Sequence, residues 1–325
     1  MIAIIAHHFS VHGKFDFPLD IITTNKLWAQ FILMGGSLGN SIFVLISGYF
    51  LVQSDDLKLR KIFNIWARVI FYSLTIFAIF TLSGIEPIKF KDTVKAFMPL
   101  TYRRWWFASC WFSMYLIHPF LNILIKNLDR KNYIKMLLIT GVLFSIIPSL
   151  KGANFISSLG QFIYLYFVAG YIKLHADNFG NAKFIWLGIL GIALTFASVI
   201  ILDFIGLKFA KFAKGAAHFY QMLSPNMLFT TVCLLIGFKN LHINTKFTSS
   251  INLIAAATFG VYLIHDSSFV GKFLWIDFFK NASYQDSPYL IIYSIGVILL
   301  VYVVCTMIEI VSSKIFKILS KGYLN

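Results

Sequence analysis

The chain has 325 residues, of which 58% are hydrophobic, 18% aromatic and only 13% charged, and its net charge is +15. A soluble domain carries about 25% charged residues, so the composition excludes a water-soluble globule and describes a polytopic membrane protein. The surplus of Lys and Arg is spread over short loops with no basic domain, which argues against nucleic acid and for anionic lipid headgroups and anionic substrates.

The opening stretch, Met1–Gly13, runs through apolar residues into His7 and His8, and His12 follows one helical turn after His8. An imidazole takes and returns a proton near its unperturbed pKa of roughly 6.5. A histidine at the edge of a hydrocarbon span is a functional candidate by default. The alternative is a pair of interfacial histidines that end a helix and are satisfied by water and carbonyls.

A span needs about 20 mostly apolar residues. Nine runs meet this, near 27–52, 62–83, 105–125, 134–150, 155–174, 183–204, 222–241, 251–271 and 289–312. The opening segment reaches polar Ser10 too soon and completes a further span only if it begins earlier. Met1 is therefore expected to be an internal methionine, or else the chain has lost half a helix. The expected fold class is all-α: one domain over residues 1–325, a polytopic integral membrane helix bundle of about ten spans with the first truncated.

The linkers are short, with Pro18, Pro87, Pro99, Pro148, Pro225 and Pro288 at their edges, and no repeat of solenoid length appears. Tyr-Leu-Ile-His occurs twice, at Tyr115–His118 and Tyr262–His265, which is too little for a duplication. Cys110, Cys233 and Cys305 each lie inside an apolar run and are expected to be packing residues. No cleavable signal peptide is evident. Cations fall almost evenly on alternate loops, so the positive-inside rule sets no orientation.

Small residues Gly36, Ser37, Gly39, Ser41, Ser47 and Gly48 mark a close-packing helix. Arg103 and Arg104 beside Trp105 and Trp106 have the composition of a membrane anchor. His8 and His12 have the spacing of two metal ligands, but the zincin pattern needs a Glu after the first His and Phe9 stands there, so no metal site is expected. No P-loop, dinucleotide fingerprint or serine elbow is present.

Four motifs stand in order along the chain: IIAHHF at Ile4–Phe9, NSIFVLISGYFL at Asn40–Leu51, WWF with YLIHPFLN across Trp105–Asn122, and FGVYLIHD at Phe259–Asp266. Together they resemble membrane acyltransferase family 3, ten-span proteins that move acyl groups, usually acetyl, onto extracytoplasmic sugars. The resemblance implies His8 as the catalytic general base. The family's basic residue eleven positions before that histidine falls ahead of Met1, so if the chain begins there, activity is expected to be damaged; a mis-chosen start is the simpler expectation. The resemblance also implies acetyl-CoA as co-substrate, with no bound cofactor, and a cell-surface or lipid-linked glycan as acceptor. Lys58, Arg60 and Lys61 lie where the family carries a basic pair, and Arg60, Lys61 and Arg68 are candidates for the donor's phosphates. For Arg68 the alternative is snorkelling to the interface. His12, Arg103, Arg104, Trp106, Tyr262 and His265 are candidates for the acceptor side or the cavity wall. His118, followed by Pro119, is expected to belong to a helix kink. The expected location is the cell membrane, multi-pass, of the bacterial cytoplasmic type. Two other readings stay open: a glycan or lipid transporter with no chemistry of its own, and an inactive family member.

Overall fold

Long apolar runs become helices because hydrocarbon offers no partner to a backbone N–H or C=O, and a helix satisfies both within itself. The computed structural model describes residues 1–85, 87–151, 156–176, 183–239, 241 and 245–320, and among them there is no strand. In chain order the helices are α1 (Ile2–Val11), α2 (Thr24–Leu33), α3 (Gly35–Leu51), α4 (Leu59–Ser83), α5 (Phe90–Phe97), α6 (Trp106–Lys126), α7 (Arg130–Gly141) and α8 (Ile147–Lys151). They continue as α9 (Ser158–His175), α10 (Lys183–Gly206), α11 (Ala210–Lys214), α12 (Pro225–Lys239), α13 (Thr245–His265), α14 (Ser268–Lys272) and α15 (Leu290–Ser320).

Eight helical stretches among the described residues are long and apolar enough to cross a membrane, and they fall on eight of the nine expected runs. The remaining run, 155–174, becomes α9, which carries Gln161, Tyr164, Tyr166 and Tyr171 and buries seven side chains, so its polarity is spent inside the protein. The run expected at 251–271 stops early. α13 ends at His265, and Ser267 adopts an extended backbone that starts the separate short helix α14. Large apolar side chains such as Leu82, Trp186 and Ile292 face outward, the pattern of lipid-facing helices. Cys110, Cys233 and Cys305 are free and buried, as expected for packing residues.

The chain folds as two compact units. One holds residues 17–57 and 113–242. Here α3 lies against α9 and α10 against α12, each approach made at small residues. A Cβ on Gly48 would stand 3.0 Å from the Cβ of Ala169 and 3.2 Å from the Cα of Tyr166, which is why this helix carries its run of small side chains. Several polar groups buried in this unit find partners. The Asn122 amide donates to Leu51 O (3.0 Å) and Ser54 O (2.8 Å) and accepts from the Tyr166 hydroxyl (2.6 Å). Lys26 pairs with fully buried Asp203 at 3.4 Å. Pro119 has no N–H for the carbonyl of Tyr115 four residues earlier, and His118 Nδ1 donates to that oxygen instead at 2.6 Å. His118 thus takes up the carbonyl that Pro119 leaves without a helical donor.

The other unit holds residues 1–16, 58–112 and 243–325. α15 is its spine, with α1 and α13 packed on it, while α4 carries α5, α13 and α14. Phe9 anchors α1, edge-on to Trp275 (6.1 Å) and Tyr293 (6.3 Å), and its carbonyl accepts from the Asn281 amide at 3.0 Å. Phe269 of α14 stacks on Phe80 of α4 at 5.4 Å. Arg68 of α4 is ion-paired with Glu309 of α15, whose side chain is 1% exposed. Tyr72 also donates to Glu309, and Ser313 bridges the two, accepting from Arg68 (2.6 Å) and donating to Glu309 (2.5 Å). Gly260 of α13 faces this carboxylate, and any larger side chain there would displace it.

Removing one member of a buried ion pair strands the other charge, at a cost of about 3–5 kcal/mol. Arg68→Ala should therefore lower unfolding stability in detergent micelles by about that amount, and Arg68→Ala combined with Glu309→Gln should recover part of it. An Arg68→Ala protein as stable as wild type would contradict the pairing.

Candidate active site

Two helix ends build the site. α1 finishes at Val11 with His12 as its C-cap, and α13 finishes at His265, so the last turns of both helices carry histidines. Asp266 occupies the break between α13 and α14, its N–H bonded to Tyr262 O at 3.1 Å and its side chain turned to α1. His8 Nε2 stands 3.2 Å from Asp266 Oδ1, with the two side chains 10% and 15% exposed. The imidazoles of His7, His12 and His265 lie 5.4, 5.2 and 5.0 Å from that of His8, centroid to centroid.

The partners bias the tautomers. When Asp266 is ionised its carboxylate only accepts, so His8 then carries its proton on Nε2 and presents the Nδ1 lone pair, a buried atom with no hydrogen-bond partner. His265 Nδ1 bonds to Val261 O at 2.6 Å, which leaves the lone pair of Nε2, likewise buried and unpartnered. Burial pushes the Asp266 carboxyl up to about 7, with the Tyr262 hydroxyl holding it back. Burial, and then the neighbouring His7 and Lys14, push the His12 imidazole down from its usual value.

A cavity of about 410 Å³ opens beside this cluster. His12, His265 and Asp266 form one wall and Trp106 part of another. His8 does not line the cavity and touches it only through Asp266 and its ring neighbours His12 and His265. Lys14, Arg103, Arg104 and Lys272 bring four cationic side chains to the same space. Lys14 (φ 56°) and Arg103 (φ 49°) are two of the three non-glycine residues in the left-handed region among those described. That conformation is uncommon for side chains with a Cβ, and here it aims both cations at one cavity. The Arg104 guanidinium lies against Trp105 (5.5 Å) and Phe269 (5.2 Å), and its buried Nε and Nη2 have no hydrogen-bond partner. Burial lowers its pKa to about 10, opposed by Asp92, so it stays charged at neutral pH.

The structure thus brings together His8, His12, Arg103, Arg104, Trp106 and His265. Tyr262 sits just beneath, edge-on to Phe107 at 5.9 Å and 6.4 Å from the His265 ring. The three donor candidates are elsewhere. Arg68 is committed to Glu309. Arg60 and Lys61 stand in the first turn of α4, whereas Phe80, stacked on Phe269, marks the cavity end of that helix. Twenty residues at 1.5 Å each separate the two ends by about 30 Å, the thickness of a hydrocarbon core.

Sequence reasoning missed Asp266, Lys14 and Lys272. For Asp266 a signal was present. The two Tyr-Leu-Ile-His copies differ in the next residue, Pro119 after the first and Asp266 after the second. Only the second puts an ionisable group beside the histidine at the end of an apolar run.

A family model described as an acyltransferase domain matches residues 1–309. No curated protein and no solved structure matches the chain. The match runs from α1, which carries His8, into α15, on which α1 is packed, and so takes in every residue of the cavity wall. The chain belongs to acyltransferase family 3, the polytopic membrane acyltransferases.

Proposed function

We propose that this acyltransferase moves an acetyl group from acetyl-CoA to a hydroxyl of a cell-surface or lipid-linked glycan in the bacterial cytoplasmic membrane. The observation that carries the reading is the His8–Asp266 pair, whose carboxylate lines a cationic cavity. Asp266 holds the Nε2–H of His8, and Nδ1 removes the acceptor's hydroxyl proton as its oxygen bonds to the thioester carbonyl carbon. The tetrahedral intermediate then collapses, the C–S bond breaks, and the imidazolium returns its proton to the departing thiolate. The unpartnered N–H groups of Arg104 are suited to the oxyanion that forms in between.

Charge supports a division of labour. Arg103, Arg104, Lys14 and Lys272 suit an anionic acceptor at the cavity. Arg60 and Lys61, at the far end of α4, suit the phosphates of a donor that approaches from the opposite face. On this reading charge reversal at Arg60 and Lys61 raises the KM for acetyl-CoA and leaves that for the acceptor unchanged. Arg103→Glu does the reverse. Equal effects on both constants would refute the division.

The central test is transfer of labelled acetyl in membranes, with expression verified. General-base assistance is worth about 10²–10⁴-fold, so His8→Ala should lower kcat by that factor, with smaller losses for His12→Ala and His265→Ala. Undiminished transfer by His8→Ala would sink the assignment, and a transporter would incorporate no label at all.

The pH profile follows from Asp266. Below about 7 its carboxyl is protonated and donates to His8 Nε2, which moves the imidazole proton to Nδ1 and fills the base. Activity should therefore rise with pH through about 7, and Asp266→Asn should abolish that limb.

A further inference from the structure

We propose that His8, His12 and Asp266 form a binding site for a divalent transition-metal ion of the Zn²⁺ class, and that occupancy of this site blocks acyl transfer. The blocking half rests on the role of His8 proposed above; the binding half does not. One ligand atom from each residue can be chosen so that all three lie within 4.8 Å of one another. His8 and His12 stand four apart at the end of α1, the spacing at which two imidazoles on one helical face share a metal. The carboxylate comes from a second helix end.

One of the distances already suits zinc. Donors at about 2.0–2.1 Å from a tetrahedral Zn²⁺ lie roughly 3.3 Å apart, and His8 Nε2 is 3.2 Å from Asp266 Oδ1. The three donors together lie within 4.8 Å, so side-chain rotation closes the set around the ion in place of the hydrogen bond. His12 and Asp266 also line the cavity, which leaves room for a fourth ligand from water or substrate. Two imidazoles and one carboxylate favour Zn²⁺ over Mg²⁺ or Ca²⁺, which call for six or more oxygens.

Two features make such an ion an inhibitor and not a resident cofactor. Lys14, Arg103, Arg104 and Lys272 around the same cavity repel a dication, so affinity is lowered and the ion is held reversibly. A metal on Nε2 also holds the imidazole proton on Nδ1, the atom that must be empty to accept the acceptor's proton.

The test uses the full chain, free of any affinity tag and metal-stripped, in detergent micelles. Zn²⁺ is titrated against a chromophoric chelator, and Co²⁺ is read by the visible bands of a four-coordinate site. The expected result is one Zn²⁺ per chain, untouched by excess Mg²⁺. His12→Ala and Asp266→Asn should each weaken it at least about tenfold, the loss that follows even when an outer-shell partner is removed. His12→Gln, which keeps bulk at the exposed cap, guards against misfolding. Absence of stoichiometric binding, or binding indifferent to these variants, overturns the site. Zn²⁺ should also halt labelled-acetyl transfer reversibly, with EDTA restoring it; binding without inhibition overturns the blocking half. A chain that binds Zn²⁺ through the triad but transfers no acetyl when metal-free would refute the enzymatic reading and leave the metal site standing.

Discussion

Hydrocarbon tolerates a polar side chain only when another group of the protein takes over the work of water, and this exchange organises the molecule. Arg68 is held by Glu309 and Ser313, Lys26 by Asp203, Asn122 by the end of α3 and by Tyr166, and the stranded carbonyl of Tyr115 by His118. All but the last tie together segments distant in the chain. Exceptions occur in several places, as at His118 Nε2, the Tyr220 hydroxyl and Asn226 Oδ1, and beside the cavity they include His8 Nδ1, His265 Nε2, and Nε and Nη2 of Arg104. Two lone pairs and a set of donors left unsatisfied close together suit the proton transfer and the negative charge of the proposed reaction. Such groups cost stability in the resting protein, and on that proposal the substrate supplies their partners.

The break in α13 lies directly beside this convergence. Asp266 keeps the helical register, its N–H still bonded to Tyr262 O at 3.1 Å, and so takes the next position around the helix axis after His265. The helix ends immediately after it, and α14 restarts at once and stacks Phe269 on α4.

Most of the spans were legible from apolar runs alone, because hydropathy and length decide whether a segment crosses and need no knowledge of its neighbours. α9 shows the limit. Its tyrosines and glutamine make it too polar for that criterion, yet it is deeply buried, and only packing explains this. The site was half legible. His8, His12 and the arginine pair stand out as polar residues at the edges of apolar segments, and the family resemblance singled out His8. Asp266 was readable only as a neighbour of His265, since its partner lies at the other end of the sequence. Arg68 misled for the same reason. A lone arginine in an apolar run invites a ligand, and its partner Glu309 is a single acid inside another span.

The left-handed backbone of Lys14 and Arg103 bears on how this chain can change over generations. At either position glycine would relax the main chain and remove one of the charges that line the cavity. On the proposed function, a variant chosen for thermal hardiness alone would tend toward glycine at both positions, and one chosen for turnover would keep the cations. The φ near 50° on a lysine and an arginine marks the point where those two demands meet.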